Sequence, residues 1–217
     1  GPTALLMGIS LSIAMLISIP AGILSAVKQY SFIDYGIVLS SFIGTSVPSF
    51  FLALVLIYVF NIQLGVLPSS GMRTLGMPNN LVDLLRHMVM PVTVMVVSVV
   101  GTNIRYIRAS MLEILEQNYL RTARSKGIGK GMVIFKHAFR NALLPIVTVL
   151  GMQIPLMFSG SVVIEQVFSY PGLGRLTMTA ILNRDFPLIM GVSLLAAVIV
   201  VLSNLITDIL YVLVDPH

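Results

Sequence analysis

The chain has 217 residues, of which 57% are hydrophobic and 10% are charged, and its net charge is +5. Soluble domains have roughly 45–50% apolar and about 25% charged residues, so this composition indicates an integral membrane protein. The absence of cysteine excludes disulfides, thiolate metal sites and cysteine nucleophiles. The basic residues lie between apolar segments, so membrane topology accounts for them and no nucleic-acid binding is expected.

Five apolar, uncharged stretches predict helices that cross roughly 30 Å of hydrocarbon, which takes about 20 residues each. Their continuous apolar runs favour helices over barrel strands, in which apolar residues would alternate. The predicted fold class is all-α, with one polytopic transmembrane domain over residues 1–217. The predicted spans, of which the third is short, are 4–27, 36–60, 88–104, 142–164 and 186–207, the last continuing to 214.

The segment 105–145 contains eight of the thirteen Lys and Arg residues and only two Glu residues, a net charge of about +6. We predict a loop over 105–141 that lies outside the membrane. Within it, Asn118 as N-cap and Gly127 as the residue after the C-cap would bound a helix of about two turns. Such a short helix needs lipid headgroups or a partner protein to dock on, and a solvated loop that only sets topology is the alternative.

Two further loops, 61–87 and 165–185, are predicted on the opposite side of the membrane. They contain turn sequences such as Leu67-Pro-Ser-Ser-Gly71, and Tyr170-Pro-Gly-Leu-Gly174 is not expected to form a regular helix. The side of the long loop has nine basic residues, including Lys28, and the other side has four: Arg73, Arg86, Arg175 and Arg184. The positive-inside rule therefore predicts a cytoplasmic long loop, an external N-terminus and a cytoplasmic C-terminus.

Motifs for catalysis are not found in the sequence. The Gly129-Lys130 pair lacks the other residues of a phosphate-binding loop, and no zinc-protease or hydrolase motif occurs. The three histidines, His87, His137 and His217, are too scattered to suggest a metal site. We predict no enzyme activity and no metal site.

Ionisable residues are nearly absent from the predicted spans, and Asp208 and Asp215 are expected at the inner boundary. Proton-driven carriers usually need a buried carboxylate or histidine, so an energy source outside this chain is favoured. The polar residues within the spans could either join helices or line a substrate path, and the sequence does not say which. They are Ser46, Ser49, Thr93, Ser98, Thr102, Asn103, Gln153, Ser159, Ser161, Ser203 and Asn204.

Several motifs along the whole chain resemble those of ABC-importer permeases of the dipeptide, oligopeptide and nickel family. The match is carried by Tyr119-LRTARSKG-Gly127, by His137-AFRNALLP-Pro145 and by Glu165-QVFSYPGLGRL-Leu176. Arg121 stands where the general pattern has an acidic residue. The resemblance implies a type I importer permease core in a prokaryotic inner membrane, with one more helix before this chain. The implied substrates are di- or oligopeptides, with nickel or glutathione as alternatives.

The resemblance also implies partners and site residues. ATP and Mg²⁺ would bind to separate ATPase subunits, and this chain would hold no cofactor. A second permease subunit, of a related sequence, and an external substrate-binding protein complete the implied complex, which lies in membrane lipid. The implied ATPase-coupling residues are Tyr119, Leu120, Arg121, Thr122, Ala123, Arg124, Ser125, Lys126 and Gly127. The implied docking residues for the binding protein are Tyr170, Pro171, Gly172, Leu173 and Gly174.

A second hypothesis comes from a different class of protein. A membrane channel or scaffold whose basic loop binds anionic lipid would also have apolar spans joined by a cationic segment. Dependence of the chain on an ATPase partner distinguishes the two hypotheses.

Overall fold

The computed structural model describes residues 1–74, 76, 80–117 and 139–214, with the backbone alone at some positions of 139–160 and 210–214, and this part of the chain is helical. Two of the helices are directly continuous, since a π-helix over Ile57–Gln63 follows α3. The helices are α1 (Pro2–Val27), α2 (Phe32–Ser46), α3 (Ser49–Leu56), α4 (Leu81–Leu115), α5 (Phe139–Val167), α6 (Leu173–Leu182) and α7 (Phe186–Val214).

Three of the described helices are long and apolar enough to cross a membrane: α1, α4 and α7. The pair formed by α2 with α3 and the π-helix meets the same test only as one bent span. The predicted span 142–164 lies within α5, and the count of five spans stays a prediction. The outward faces are apolar, since Leu16, Met190 and Leu194 are each more than 70% exposed, as a lipid-facing surface requires.

Helix α4 is the central element, because α1, α2, α3 and α5 all pack against it. Its buried residues Met88, Val94 and Met95 belong to one apolar cluster with Leu6 and Ala14 of α1. Nearer its C-terminal end, a second cluster continues the same contact. That cluster joins Ile107 and Met111 of α4 to Ile23 and Ala26 of α1 and to Ile146 of α5.

Helix α4 includes the predicted third span, 88–104, and extends seven residues before it and eleven beyond it to cover Leu81–Leu115. The predicted loop over 105–141 includes the last eleven residues of α4 and the first three of α5, and its position outside the membrane stays a prediction. Arg105 and Arg108 lie in the helix and not in a loop. The helix continues through these charged residues because each has a partner. The guanidinium carbon of Arg105 lies 5.0 Å from the centre of the Phe42 ring, and Arg108 pairs with Asp34.

The predicted second span, 36–60, is not one continuous helix. Helix α2 ends at Ser46 and α3 begins at Ser49, and the two directions differ by 91°. Proline has no N–H group and disfavours a helical conformation in the residue before it. Val47 accordingly has the extended angles φ −83° and ψ 121°, and Pro48 becomes the N-cap of α3.

The predicted loops 61–87 and 165–185 are shorter than expected. The π-helix reaches Gln63 and α4 begins at Leu81, while α5 reaches Val167 and α6 occupies ten residues of the second loop. Both loops lie at the same end of the molecule as the N-terminus. The amide of Gly71 donates to Phe168 O at 2.8 Å, and the amide of Leu173 donates to Thr3 Oγ1 at 2.7 Å.

A close approach between α2 and α4 provides a test of this packing. A methyl group on Gly101 would overlap with the Ser41 carbonyl oxygen, whereas one on Gly36 would meet no atom within 4 Å. We expect Gly101→Ala to lower the melting temperature of the detergent-solubilised protein, because overpacking costs about 1–3 kcal/mol. Gly36→Ala is the matched control and should leave it unchanged or raise it. Equal melting temperatures for the two variants would contradict the close contact.

Candidate functional site

The predicted coupling segment, residues 119–127, lies outside the described residues, so its helical structure and role stay predictions. The structure does describe the two elements that lead into it and out of it. Helix α4 ends at Leu115, and α5 begins at Phe139. The other two candidate regions, at the loop between α5 and α6 and within the spans, are described.

An ion pair, buried at Asp34 and partly exposed at Arg108, joins the C-terminal half of α4 to the first turn of α2. Nε and Nη2 of Arg108 each donate to one oxygen of Asp34 at 2.8 Å, which is the two-pronged geometry that arginine and carboxylate favour. The Asp34 carboxylate also accepts hydrogen bonds from the Ser25 hydroxyl and, at 3.0 Å, from the Tyr30 amide. Asp34 is only 2% exposed, so these four bonds replace its hydration.

Local sequence places Asp34 at this site. Ser31 is the N-cap of α2, and its hydroxyl accepts from the Asp34 amide at 3.3 Å. Tyr30 adopts a left-handed conformation with φ 61°, which turns its amide toward the Asp34 side chain. The sequence analysis missed this site, although Ser31-Phe-Ile-Asp34 before an apolar run is a capping-box pattern and could have identified the aspartate.

At the opposite end, the buried carboxylate of Glu165 caps the N-terminus of α6. Its Oε2 accepts from the amides of Gly174 at 2.7 Å and Arg175 at 3.1 Å, while Thr3 of α1 accepts from the amide of Leu173. The three first amides of the helix thus have partners, and the negative charge lies at the favourable end of the helix dipole. The N-cap itself, Gly172, has no side chain to offer.

The glycine at position 172 is required by the carboxylate, since a Cβ there would overlap with Glu165. Tyr170 is fully buried beside this contact. Burial, and then the nearby Glu165 charge, raise the pKa of Tyr170 to about 12, so the phenol is neutral at physiological pH. The Tyr-Pro-Gly-Leu-Gly segment is therefore an internal support for α6. The prediction that it is not a regular helix is confirmed up to Gly172, whereas Leu173 and Gly174 begin α6.

Three of the five predicted docking residues are buried: Tyr170, Gly172 and Gly174. Pro171 is exposed and Leu173 is half-buried, so only these two are accessible to a partner in this conformation. Docking of a partner at this loop stays a prediction. The three buried residues would affect docking only through the shape that they give to the loop.

The polar residues of the spans divide into several groups. Four of them, Ser49, Ser98, Thr102 and Gln153, line one cavity of about 270 Å³ between α3, α4 and α5. Ser161 and Ser203 are buried and donate to carbonyls of their own helices. Ser46, Thr93 and Asn204 are exposed elsewhere, and the side chain of Ser159 is outside the described part.

Beside the cavity, two amides form a buried pair between α4 and α5. Gln153 Nε2 donates to Asn103 Oδ1 at 2.8 Å, and the two residues are 6% and 0% exposed. A hydrogen bond between side chains in the apolar interior holds the two helices in one register. Within the described ranges, Asn103 Nδ2 has no hydrogen-bond partner.

In the described residues, no group of three or more His, Asp or Glu side chains could hold a metal ion. The described polar groups instead form one set of contacts around Asp34, a second set around Glu165, and a small cavity between α3, α4 and α5.

Comparison with known proteins identifies the relatives of this chain. The family described as binding-protein-dependent transport system inner membrane component matches residues 18–217. The chain is 47% identical over 215 residues to the oligopeptide transport system permease protein AppB of Bacillus subtilis, covering 99% of this chain and 68% of that protein. It is 36% identical over 215 residues to the di/tripeptide transport system permease protein DppB of Pseudomonas aeruginosa, covering 91% of this chain and 64% of that protein.

The fold is also similar to a solved structure. A chain of the MetNI methionine ABC transporter, in an inward-facing conformation, superposes with a TM-score of 0.76. The alignment covers 99% of this chain and 93% of the other, at 17% sequence identity. This likeness shows that the helical architecture is shared.

The ion pair leads to a prediction about stability. Arg108→Met should destabilise the protein by roughly 3 kcal/mol, because it leaves the Asp34 carboxylate buried without its cation. The double variant Asp34→Asn with Arg108→Met should be less destabilised than Arg108→Met alone. Thermal unfolding of the purified variants in detergent measures both effects. If the loss of stability in the double variant equals the sum of the losses in Arg108→Met and in Asp34→Asn, the coupling is contradicted.

The cap of α6 leads to a second prediction. Glu165→Gln removes the charge that accepts two amide hydrogen bonds, and it should destabilise the α5–α6 region by about 1–3 kcal/mol. Hydrogen exchange should become faster at the amides of Gly174 and Arg175, and remain unchanged in α4. Gln166→Glu, at an exposed neighbouring position, is the control. Unaltered exchange in Glu165→Gln would show that the carboxylate does not hold this helix.

Proposed function

The chain belongs to the family of binding-protein-dependent transport system inner membrane components, and from that membership we propose that it conducts di- or oligopeptides as the permease subunit of an ATP-driven importer. The family match over residues 18–217 carries this proposal. Proteins of this family are multi-pass membrane permeases of ABC importers, which agrees with the apolar helices and with the shared fold.

The relatives support a peptide substrate. AppB and DppB are named for oligopeptide and di/tripeptide transport, and both resemble this chain over nine-tenths of its length or more. The membrane-spanning helices offer hydroxyl and amide groups and few charges, which suits the neutral main chain that all peptides share. Nickel and glutathione stay the alternatives that the family resemblance leaves open.

Energy is proposed to enter through residues 119–127, between α4 and α5. In this proposal Leu120 and Ala123, with Tyr119, pack into a groove of an ATPase subunit, and Arg121, Arg124 and Lys126 contact its rim. The ATPase subunits bind ATP and Mg²⁺, and their closure favours one arrangement of the helices. A ligand shifts such an equilibrium only by its differential affinity for the two states, so a docked segment that moves with the ATPase is needed.

The ion pair described above supports this route of force. Arg108 lies two turns before the end of α4, and its bond to Asp34 ties α4 to the start of α2 and the end of α1. A displacement at the C-terminal end of α4 would therefore move three helices together. By the positive-inside rule, this end is proposed to lie in the cytoplasm, with the N-terminus outside and the C-terminus inside.

The other partners are proposed for the remaining surfaces. A second permease subunit, of a related sequence, would complete the substrate path. An external binding protein would dock at the end that carries Pro171 and Leu173. Membrane lipid would cover the exposed apolar faces of α1 and α7.

The coupling segment is tested in the reconstituted complex of this chain with its partner permease, the ATPase subunits and the binding protein. Leu120→Asp or Ala123→Arg should abolish the stimulation of ATP hydrolysis by the loaded binding protein, because a charge is placed in the packed contact. Co-purification of the two permease subunits should persist.

Neutralising the rim with Arg121→Ala, Arg124→Ala and Lys126→Ala together is the comparison variant. It should reduce the stimulation only in part, since exposed ion pairs contribute little. Full stimulation in Leu120→Asp, combined with a loss in the triple variant, would favour a loop that binds lipid and would end the coupling proposal.

A further inference from the structure

We propose that the cavity between α3, α4 and α5 is a binding subsite for the main chain of a peptide in transit, with Gln153, Thr102, Ser98 and Ser49 as its polar contacts. This inference rests on the proposed function and assigns the residues that would perform it. Four of the eight residues that line the cavity are polar, although the surrounding helices are strongly apolar.

The cavity has the size and access that a transient site needs. Its volume of about 270 Å³ lies just below the range of roughly 300–1,000 Å³ found for ligand pockets. It holds a short piece of main chain and not a whole oligopeptide. Ser98 is exposed and Thr102 and Ser49 are half-buried, so the cavity opens at the surface of this subunit. The cavity wall is partly apolar, but its hydroxyl and amide groups are better matched by a partner or a water-filled path than by lipid.

The bend between α2 and α3 also lies beside this cavity. Ser49 is the first residue of α3, directly after the 91° bend at Val47 and Pro48. The N-cap Pro48 has no side-chain bond to the first turn of α3, so the amides of that turn remain available. Helices that break at membrane depth present their first amides to substrate in many transporters. Here the break places Ser49 on the cavity wall.

The side chains around the cavity offer both acceptors and donors. Gln153 Nε2 is used by Asn103, which leaves the Gln153 carbonyl oxygen as the acceptor. Thr102 Oγ1 accepts from Arg105 Nη2 at 3.3 Å, so the hydroxyl hydrogen can be donated into the cavity. A peptide unit has one N–H and one C=O, so it can donate to the Gln153 oxygen and accept from the Thr102 hydroxyl whatever its side chains are. The inferred subsite is thus general for peptides and selects none by sequence.

The alternative is that these residues only join helices or form hydrogen bonds within their own helix. Ser98 Oγ donates to Val94 O at 2.8 Å, and Thr93 Oγ1 makes the equivalent bond to Val89 O at 2.7 Å. Both are exposed positions of α4, but only Ser98 lines the cavity. Thr93 is therefore a matched control that has the same local chemistry.

The absence of cysteine from the chain allows a direct test. Ser98→Cys and, separately, Thr93→Cys are built into the full complex with partner subunits from which cysteines have been removed. The rate of modification by a small hydrophilic methanethiosulfonate is measured in proteoliposomes with the binding protein and ATP, with and without trialanine. Trialanine should slow the reaction of the Ser98→Cys thiol at least threefold and leave the Thr93→Cys thiol unaffected. Equal rates with and without trialanine at position 98 would overturn the subsite.

Uptake separates this inference from the proposed function. Gln153→Leu and Thr102→Val should each reduce ATP-dependent trialanine uptake about three- to tenfold, the range for one lost hydrogen bond. Wild-type complex that imports trialanine, together with an unprotected Ser98→Cys thiol, rejects the subsite alone. Wild-type complex that imports no peptide rejects the proposed function. Ser49→Cys repeats the protection test if Ser98→Cys does not assemble.

Discussion

The pairing of Arg108 with Asp34 is the interaction on which the arrangement of this protein depends. A carboxylate that is removed from water is stable only when other groups replace its hydration, and here the partly exposed Arg108 guanidinium, a hydroxyl and an amide do so for Asp34. The pair lies beside the second apolar cluster, which contains Ile107 and Met111 of the same helix. It also gives α1, α2 and α4 one common attachment at the end that leads to residues 118–138.

The opposite end has a corresponding attachment with different chemistry. Glu165 uses its charge on backbone amides of α6, and Thr3 adds the first residues of α1 to the same helix end. Helix α1 is therefore held at both of its ends, by Thr3 on one side and Ser25 on the other. An internal contact of this kind keeps the shape of the loop constant, so the exposed Pro171 has a defined position for any partner.

Between these two ends, the polar contacts are fewer and weaker. The amide pair of Gln153 and Asn103 and the hydroxyls of Ser49, Ser98 and Thr102 lie where α3, α4 and α5 meet, beside the break at Pro48. Neutral hydrogen bonds of this type contribute about 1 kcal/mol each, so they can be exchanged for bonds to a passing molecule. Charged contacts at the ends and neutral contacts between them agree with the proposed peptide path.

The sequence by itself determined the membrane class, the helical fold, the approximate spans and, through its motifs, the family, because apolar runs and turn residues are local signals. It also identified the polar residues of the spans without distinguishing their roles. Only the tertiary structure decided that Ser49, Ser98, Thr102 and Gln153 share one cavity, that α4 extends to Leu115 and that Asp34 and Glu165 are buried. The cavity and the Arg108–Asp34 pair depend on partners far away in the chain, 74 residues in the case of the pair, so no local pattern could show them. The Glu165 carboxylate has its partners nine and ten residues further on, but its contact requires the turn that the folded chain makes before α6.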